Sequence, residues 1–181
     1  MRRLALPLTF CLAFDLHAQA ASPLRGVTAE DYFSFVFVAD PRLSPDGSQV
    51  AYVSSRVDKA KNRRIPSLWI VATDGRSAPR LLLDDVWSAS APRWSPDGKT
   101  IAFTSGHVLE DSAGKTGTQQ PAPGRAQLWT IPAAGGTPHR VSSVTNGVSS
   151  CSWSPNASQF VCLVRTGPSD TLDTGADRSD V

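Results

Sequence analysis

From Pro41 onward, apolar and polar positions alternate in short runs, the period-two pattern of strands with one face turned inward, whereas the residues before Asp40 carry a helical pattern. The clearest run is Pro92-Arg93-Trp94-Ser95-Pro96-Asp97-Gly98-Lys99-Thr100-Ile101-Ala102-Phe103. It predicts a hairpin: a strand, a tight turn, then a strand with Ile101 and Phe103 on one face. Pro96 presets φ for the turn, Asp97 can bond nearby backbone, and Gly98 tolerates a positive φ. The phrase occurs earlier as Pro41-Arg42-Leu43-Ser44-Pro45-Asp46-Gly47-Ser48-Gln49-Val50-Ala51-Tyr52 and later, altered, as Cys151-Ser152-Trp153-Ser154-Pro155-Asn156-Ala157-Ser158-Gln159-Phe160. The turn prolines are 51 residues apart (Pro45 to Pro96) and then 59 (Pro96 to Pro155), so the chain reads as a repeat protein.

Each of the first two hairpins is followed by a second matched pair of segments. Ser67–Ala72, with Leu68-Trp69, answers to Gln127–Pro132, with Leu128-Trp129. Both turn through glycine, at Asp74-Gly75 and Gly135-Gly136, into a short fourth strand at Pro79–Leu83 or Pro138–Ser142. Four strands per unit of about 50 residues is the arithmetic of a β-propeller blade. A β-sandwich of unrelated hairpins would not place Leu-Trp at the same offset twice. The expected fold is all-β: a partial β-propeller of four-stranded antiparallel blades, two blades plus the first hairpin of a third, with a short N-terminal helix.

The expected boundaries are 1–20 for an export signal, 21–40 for a helical prelude, 41–83 and 91–142 for two blades, 150–164 for an incomplete third, and 165–181 for a disordered tail. In the prelude Thr28 can cap the helix, with Asp31 in a capping-box position, and Phe33, Phe35, Val36 and Phe37 supply its apolar side. Before the third strand of each unit lies a connection, 55–66 in the first and 106–126 in the second. The latter is rich in Gly, Pro, Gln and Ser and reads as a surface loop. Propellers close with four to eight blades, so two and a half suggest part of something longer. Open strand edges then predict weak stability or aggregation of the chain alone.

Arg2 and Arg3 precede an apolar run from Leu4 to Leu16, and Ala18-Gln19-Ala20 has the small residues of a cleavage site, placing the cut after Ala20. The run is shorter than the about 20 apolar residues of a membrane span. Cys11 follows the bulky Phe10, against a lipoprotein site. An exported protein, periplasmic or secreted and without a stable membrane anchor, is the expectation. The formal net charge is +2, and removal of residues 1–20 leaves 16 basic against 15 acidic side chains, or +1. That balance gives no electrostatic case for nucleic acid. The basic cluster Arg56, Lys59, Lys61, Arg63 and Arg64 includes Asp58 and reads as a solvated loop tip.

In the shared hairpin register Trp153 opposes Phe160 and Cys151 opposes Cys162. Directly opposed residues lie about 4.5–5.5 Å apart, within bridging reach. An oxidising compartment permits a cross-strand disulfide; two reduced core cysteines are the other state left open. With His107 and His139 remote in sequence, these cysteines make no zinc set. No Gly-x-Ser-x-Gly elbow, phosphate loop or paired-carboxylate motif occurs in the sequence. Ser44, Ser95 and Ser154 recur as turn hydroxyls rather than nucleophiles. No catalytic residue, metal or cofactor is therefore expected here. At the third turn Asn156-Ala157 replaces Asp-Gly, and Asn156-Ala157-Ser158 formally matches a glycosylation sequon.

Arg-Trp-Ser-Pro-Asp-Gly-Lys-Thr-Ile-Ala-Phe, followed by Leu-Trp-x-Ile and a glycine turn, resembles the propeller repeats of TolB-type proteins and of prolyl oligopeptidase (S9) serine peptidases. Val27–Phe33, running into Val38–Gly47, is similar to the opening of bacterial S9 enzymes of the acylaminoacyl-peptidase or dipeptidyl-aminopeptidase type. The resemblance covers roughly residues 25–165 and favours S9. It implies the N-terminal propeller of an exported serine peptidase acting on short peptides, capping a C-terminal α/β-hydrolase domain that carries the Ser, Asp and His. A TolB-like periplasmic module that binds proteins is the alternative. Dipeptidyl members can grip the substrate amine with paired glutamates; Glu30 and Glu110 are too far apart in sequence to suggest that subtype.

Overall fold

The computed structural model describes residues 25–108 and 124–164. The export signal with its cut after Ala20, the tail 165–181 and most of the 106–126 connection, Glu110 included, lie outside the described residues. Strands β1 (Val36–Leu43), β2 (Gln49–Asp58), β3 (Arg63–Ala72) and β4 (Arg80–Leu83) form one antiparallel sheet in chain order. Strands β5 (Ser90–Trp94), β6 (Thr100–Ser105), β7 (Gln127–Pro132) and β8 (His139–Arg140) form a second, and β9 (Val148–Trp153) pairs with β10 (Phe160–Val164) in a two-stranded third. The described chain is thus mostly β, built as successive antiparallel meanders.

Several boundaries differ from the sequence reading. Strand β1 begins at Val36, inside the segment assigned to the prelude, because Val36–Ala39 pair with Val53–Arg56. The helix is a six-residue 3-10 segment, Ala29–Ser34, where the Asp31 carboxylate accepts from the Thr28 N–H at 2.7 Å and from Arg25 at 2.7 Å. The connection placed at 55–66 shrinks to 59–62: the ladder runs on to Asp58 opposite Arg63. Its charged side chains sit on strand ends, where a backbone ladder continues regardless of side-chain polarity. Beyond β8 the chain leaves the ladder early, and the fourth strand of the second sheet is two residues long.

The three turn phrases fold alike, hydrogen bond for hydrogen bond. Ser44, Ser95 and Ser154 each donate a backbone N–H to the carbonyl five residues on, at 2.8 Å in every copy. Their hydroxyls accept the N–H of Gln49, Thr100 and Gln159 at 2.9, 3.0 and 2.9 Å. Each hydroxyl also donates to the turn side chain two residues later: Asp46 at 2.6 Å, Asp97 at 2.6 Å and Asn156 at 2.7 Å. The next residue must take a positive φ, 72° at Gly47 and 69° at Gly98. In the third copy Ala157 takes it at 58°, a left-handed geometry that its Cβ disfavours.

Two faces of each sheet have different work. Ala51, Val53, Leu68, Ile70 and Leu83 of the first sheet pack against Ala89, Ile101, Phe103, Trp129 and Ile131 of the second. The opposite face of the second sheet, with Ala102 and Leu128, packs on Val148, Cys151, Trp153, Phe160 and Cys162 of the third. Each sheet therefore offers large aromatic side chains backward and smaller aliphatic ones forward, so sheets stack as wedges.

Relief of the left-handed alanine gives a first prediction. Ala157→Gly stabilises the fold by about 1 kcal/mol, read as a higher urea midpoint at unchanged slope; an unchanged or lower midpoint would show that the alanine carries no strain.

Candidate functional site

The first strands of the sheets, β1, β5 and β9, lie side by side at the same edge of the assembly. Because the repeats share a phrase, the same positions meet at each seam. The Trp94 indole N–H donates to the Arg42 carbonyl at 2.8 Å, and the Trp153 indole N–H to the Arg93 carbonyl at 3.0 Å. Arg42 and Arg93 occupy matching places in the first two phrases, and both side chains reach Asp40. Arg42 stands at 2.5 Å and Arg93 at 2.9 Å, the latter crossing the seam between sheets. Asp40 itself sits at a positive φ of 47° where the β1–β2 register slips. One carboxylate between two guanidiniums leaves this edge with an excess positive charge suited to an anionic group.

A second concavity, of about 560 Å³, lies on the face of the first sheet that turns away from the second. Tyr52, Trp69, Ile65 and Leu81 line it, and the Arg56–Asp85 ion pair, 2.7 Å long, stands among its polar residues. A third cluster gathers at the base of the 106–126 connection. His107 stacks on Trp87 with ring centres 4.0 Å apart, and Trp87 meets Trp129 edge-on at 5.1 Å. Ser105 fastens this corner: its hydroxyl donates to the Trp87 carbonyl and accepts the His107 N–H.

None of these arrangements makes a nucleophile. Ser44, Ser95 and Ser154 have their hydroxyls engaged within the turns, donating to a side-chain oxygen rather than to an imidazole. His107 is held by aromatic stacking, and His139 stands exposed on β8 opposite Thr130. Among the described residues no group of His, Cys, Asp and Glu can hold a metal ion. Glu30 pairs with Lys59 at 3.0 Å. Cys151 and Cys162 face each other across the third hairpin, Cα atoms 4.1 Å apart, joined through their sulfurs.

Sequence reasoning did not find the Asp40–Arg93 bridge, the Trp87–His107 stack or the cleft over Trp69. The matching offsets of Arg42 and Arg93 were the one available signal for the first. The other two depend on a 3-10 turn (Asp85–Trp87) and on which sheet face lacks a neighbour, and no motif encodes either.

Comparison with known proteins bears on what this scaffold belongs to. The chain is 33% identical over 153 residues to the Bacillus subtilis protein named uncharacterized peptidase YuxL, covering 81% of this chain and 20% of that one. It is 29% identical over 143 residues to dipeptidyl-peptidase 5 of Porphyromonas endodontalis, covering 79% of this chain and 18% of that one. These are S9-type propeller repeats. The fold agrees. Acylaminoacyl peptidase of Pyrococcus horikoshii superposes with a TM-score of 0.57 at 23% identity, over 77% of this chain and 19% of that one. The β-propeller domain of the trilobed protease from Pyrococcus furiosus superposes with a TM-score of 0.51 at 22% identity, over 72% of this chain and 34% of that one. No protein-family profile matches the chain. This S9-type segment spans about a fifth of the length of the curated relatives named above.

The turn chemistry predicts an acid response that differs among repeats. The Ser44 hydroxyl first, then the Ser48 N–H and hydroxyl, hold the Asp46 carboxyl down to about 2 from the ordinary 3.8. The Ser95 hydroxyl and the Lys99 N–H lower Asp97 likewise. A lowered folded pKa stabilises the fold above the unfolded value, and that contribution disappears as pH falls through the folded one. The Ser48 amide resonance is expected to titrate with a midpoint at about pH 2 and the Lys99 amide below the ordinary carboxylate range, while the Ser158 amide, bonded to Asn156, stays put. A matching titration at Ser158 would remove the carboxylates as the cause.

The hairpin cysteines are predicted to be joined in the purified protein. Alkylation in denaturant without reductant should leave Cys151 and Cys162 unmodified and a disulfide-linked peptide visible by mass; two alkylated thiols would refute this.

Proposed function

We propose that this chain is the non-catalytic N-terminal propeller portion of an exported S9-type serine peptidase that hydrolyses short peptides. In this reading the propeller restricts access to an α/β-hydrolase domain that lies outside the chain and supplies the nucleophile, base and acid. The observation that carries it is the wedge-on-wedge packing of S9-type repeats whose recurring serines are all committed to turns. A wedge stack is a wall: it excludes by size and contributes no reacting atom. The relatives named as peptidases support the hydrolase class. Short peptides are the substrates, reached through the whole enzyme, and the hydrolase domain is the propeller's partner.

Export is supported by the basic start at Arg2 and Arg3, the short apolar run and the Ala18-Gln19-Ala20 site. Among the described residues no helix is long and apolar enough to cross a membrane. Periplasmic or secreted placement also suits the paired cysteines, since an oxidising compartment keeps a disulfide.

The chain alone should neither hydrolyse aminoacyl- or dipeptidyl-nitroanilides nor react with a fluorophosphonate probe. Labelling of any serine in the folded chain, lost on unfolding, would overturn the non-catalytic assignment.

A further inference from the structure

The sheets are wedges whose narrow ends meet at their first strands: β1 lies against β5 and β5 against β9, while β4 and β8 make no comparable contact. Each first strand is hydrogen-bonded on one side only. Its other edge therefore faces the central channel around which propeller blades are arranged, and further blades at either end of the stack leave that edge uncovered. The first two repeats treat this edge alike. Asp40 and Ala91 take positive φ values of 47° and 51° where the ladder slips, and each precedes a proline, Pro41 or Pro92, with no N–H to donate. Such a bulge stops another strand from pairing and re-aims the side chains beside it. After the proline comes an arginine in both repeats, Arg42 or Arg93. In the third repeat Ser150 and Ser152 hold the matching places, and neither takes a positive φ.

Asp40 bridges the two arginines without using up either. It engages Nη2 of Arg42 at 2.5 Å and Nη1 of Arg93 at 2.9 Å, and Arg93 Nη1 also donates to the Pro92 carbonyl at 2.7 Å. The other guanidinium nitrogens, Nη1 and Nε of Arg42 and Nη2 and Nε of Arg93, have no partner among the described residues. Both arginines stay within reach of a solute, their side chains being 45% and 26% exposed. We propose that Arg42 and Arg93 form an anion subsite in the channel wall that binds the free C-terminal carboxylate of a short peptide, with Asp40 holding the two guanidiniums in place. Two positive charges against one leave a single net charge, which a monoanion neutralises; a dianionic phosphate would leave an uncompensated negative charge beside Asp40. A guanidinium fork also matches a planar carboxylate with two parallel hydrogen bonds. The peptide as ligand rests on the peptidase reading above, whereas the anion subsite rests on the geometry of this edge alone.

Two-dimensional NMR of the full chain, observing backbone amides and arginine Nε–H groups, tests it by titration with N-acetyl-trialanine, the C-terminal amide of that peptide, and inorganic phosphate. The free carboxylate is expected to shift the Nε–H signals of Arg42 and Arg93 saturably, and the amide to leave them in place. Arg42→Gln, which keeps the Asp40–Arg93 bridge across the seam, should weaken binding about tenfold. Asp40→Asn should tighten it about fivefold by removing the opposing charge; a carboxylate that served only to hold the seam would give no such gain. An unchanged circular-dichroism spectrum verifies each fold, and where Asp40→Asn loosens the chain, Arg42→Gln decides. No saturable shift, an equal response to the amide, phosphate binding tighter than the peptide, Arg42→Gln without effect, or a folded Asp40→Asn that fails to tighten would each overturn the proposal. The titration reads no bond cleavage, so the subsite and the peptidase reading fail separately.

Discussion

Stacking of an aromatic sheet face on an aliphatic one governs this molecule. Phe103 and Trp129 reach backward into the surface made by Ala51, Val53, Leu68 and Ile70, and both surfaces are removed from water together. A four-stranded meander has two faces and no interior of its own, so each sheet here buries its apolar face against a neighbour. Apolar burial at about 25 cal/mol per Å² is the term that holds such sheets together. It is non-directional, so something else must set the register between wedges. The indole hydrogen bonds from Trp94 to Arg42 and from Trp153 to Arg93 do so, along with the Arg93–Asp40 ion pair.

The turn phrase serves this packing. Ser, Pro, Asp and Gly close each hairpin with the same hydrogen bonds, which sets where the following strand begins and therefore which residues face which neighbour. A slip of one residue would exchange the aromatic and aliphatic faces, because side chains alternate along a strand. The third copy keeps every bond of the turn with Asn156 and Ala157, and it accepts a strained φ rather than lose the register. In that copy a pair of cysteines occupies the backward face, taking the places that Pro92 and Phe103 hold in the second sheet.

The polar side chains of this scaffold are largely engaged with one another. Among the described residues the hydroxyls of Ser44, Ser95 and Ser154 bond within their own turns, Asp40 holds two arginines, Asp46 and Asp97 hold turn N–H groups, and Trp94 and Trp153 bond across seams. Two further features stand out: one edge where Asp40 meets Arg42 and Arg93, and a corner where His107 stacks on Trp87.

The repeats, the hairpins, the strand order and the opposed cysteines were legible in the sequence, because turn chemistry and period-two alternation are local and each occurs more than once. The Leu-Trp pair likewise announced equivalent strands before any coordinates. Tertiary structure alone decided the rest. It extended β1 back to Val36 and β2 to Asp58, since a ladder lengthens wherever a partner strand is present. It drew Asp40 to Arg93 across a seam, and it stacked His107 on Trp87 through a short turn that no pattern marks. It also showed which sheet faces meet, with Val53 and Leu68 turned toward Phe103 and Trp129, and Ala102 and Leu128 toward Cys151 and Trp153. Burial is a property of what lies opposite, and a sequence records each face without recording what covers it.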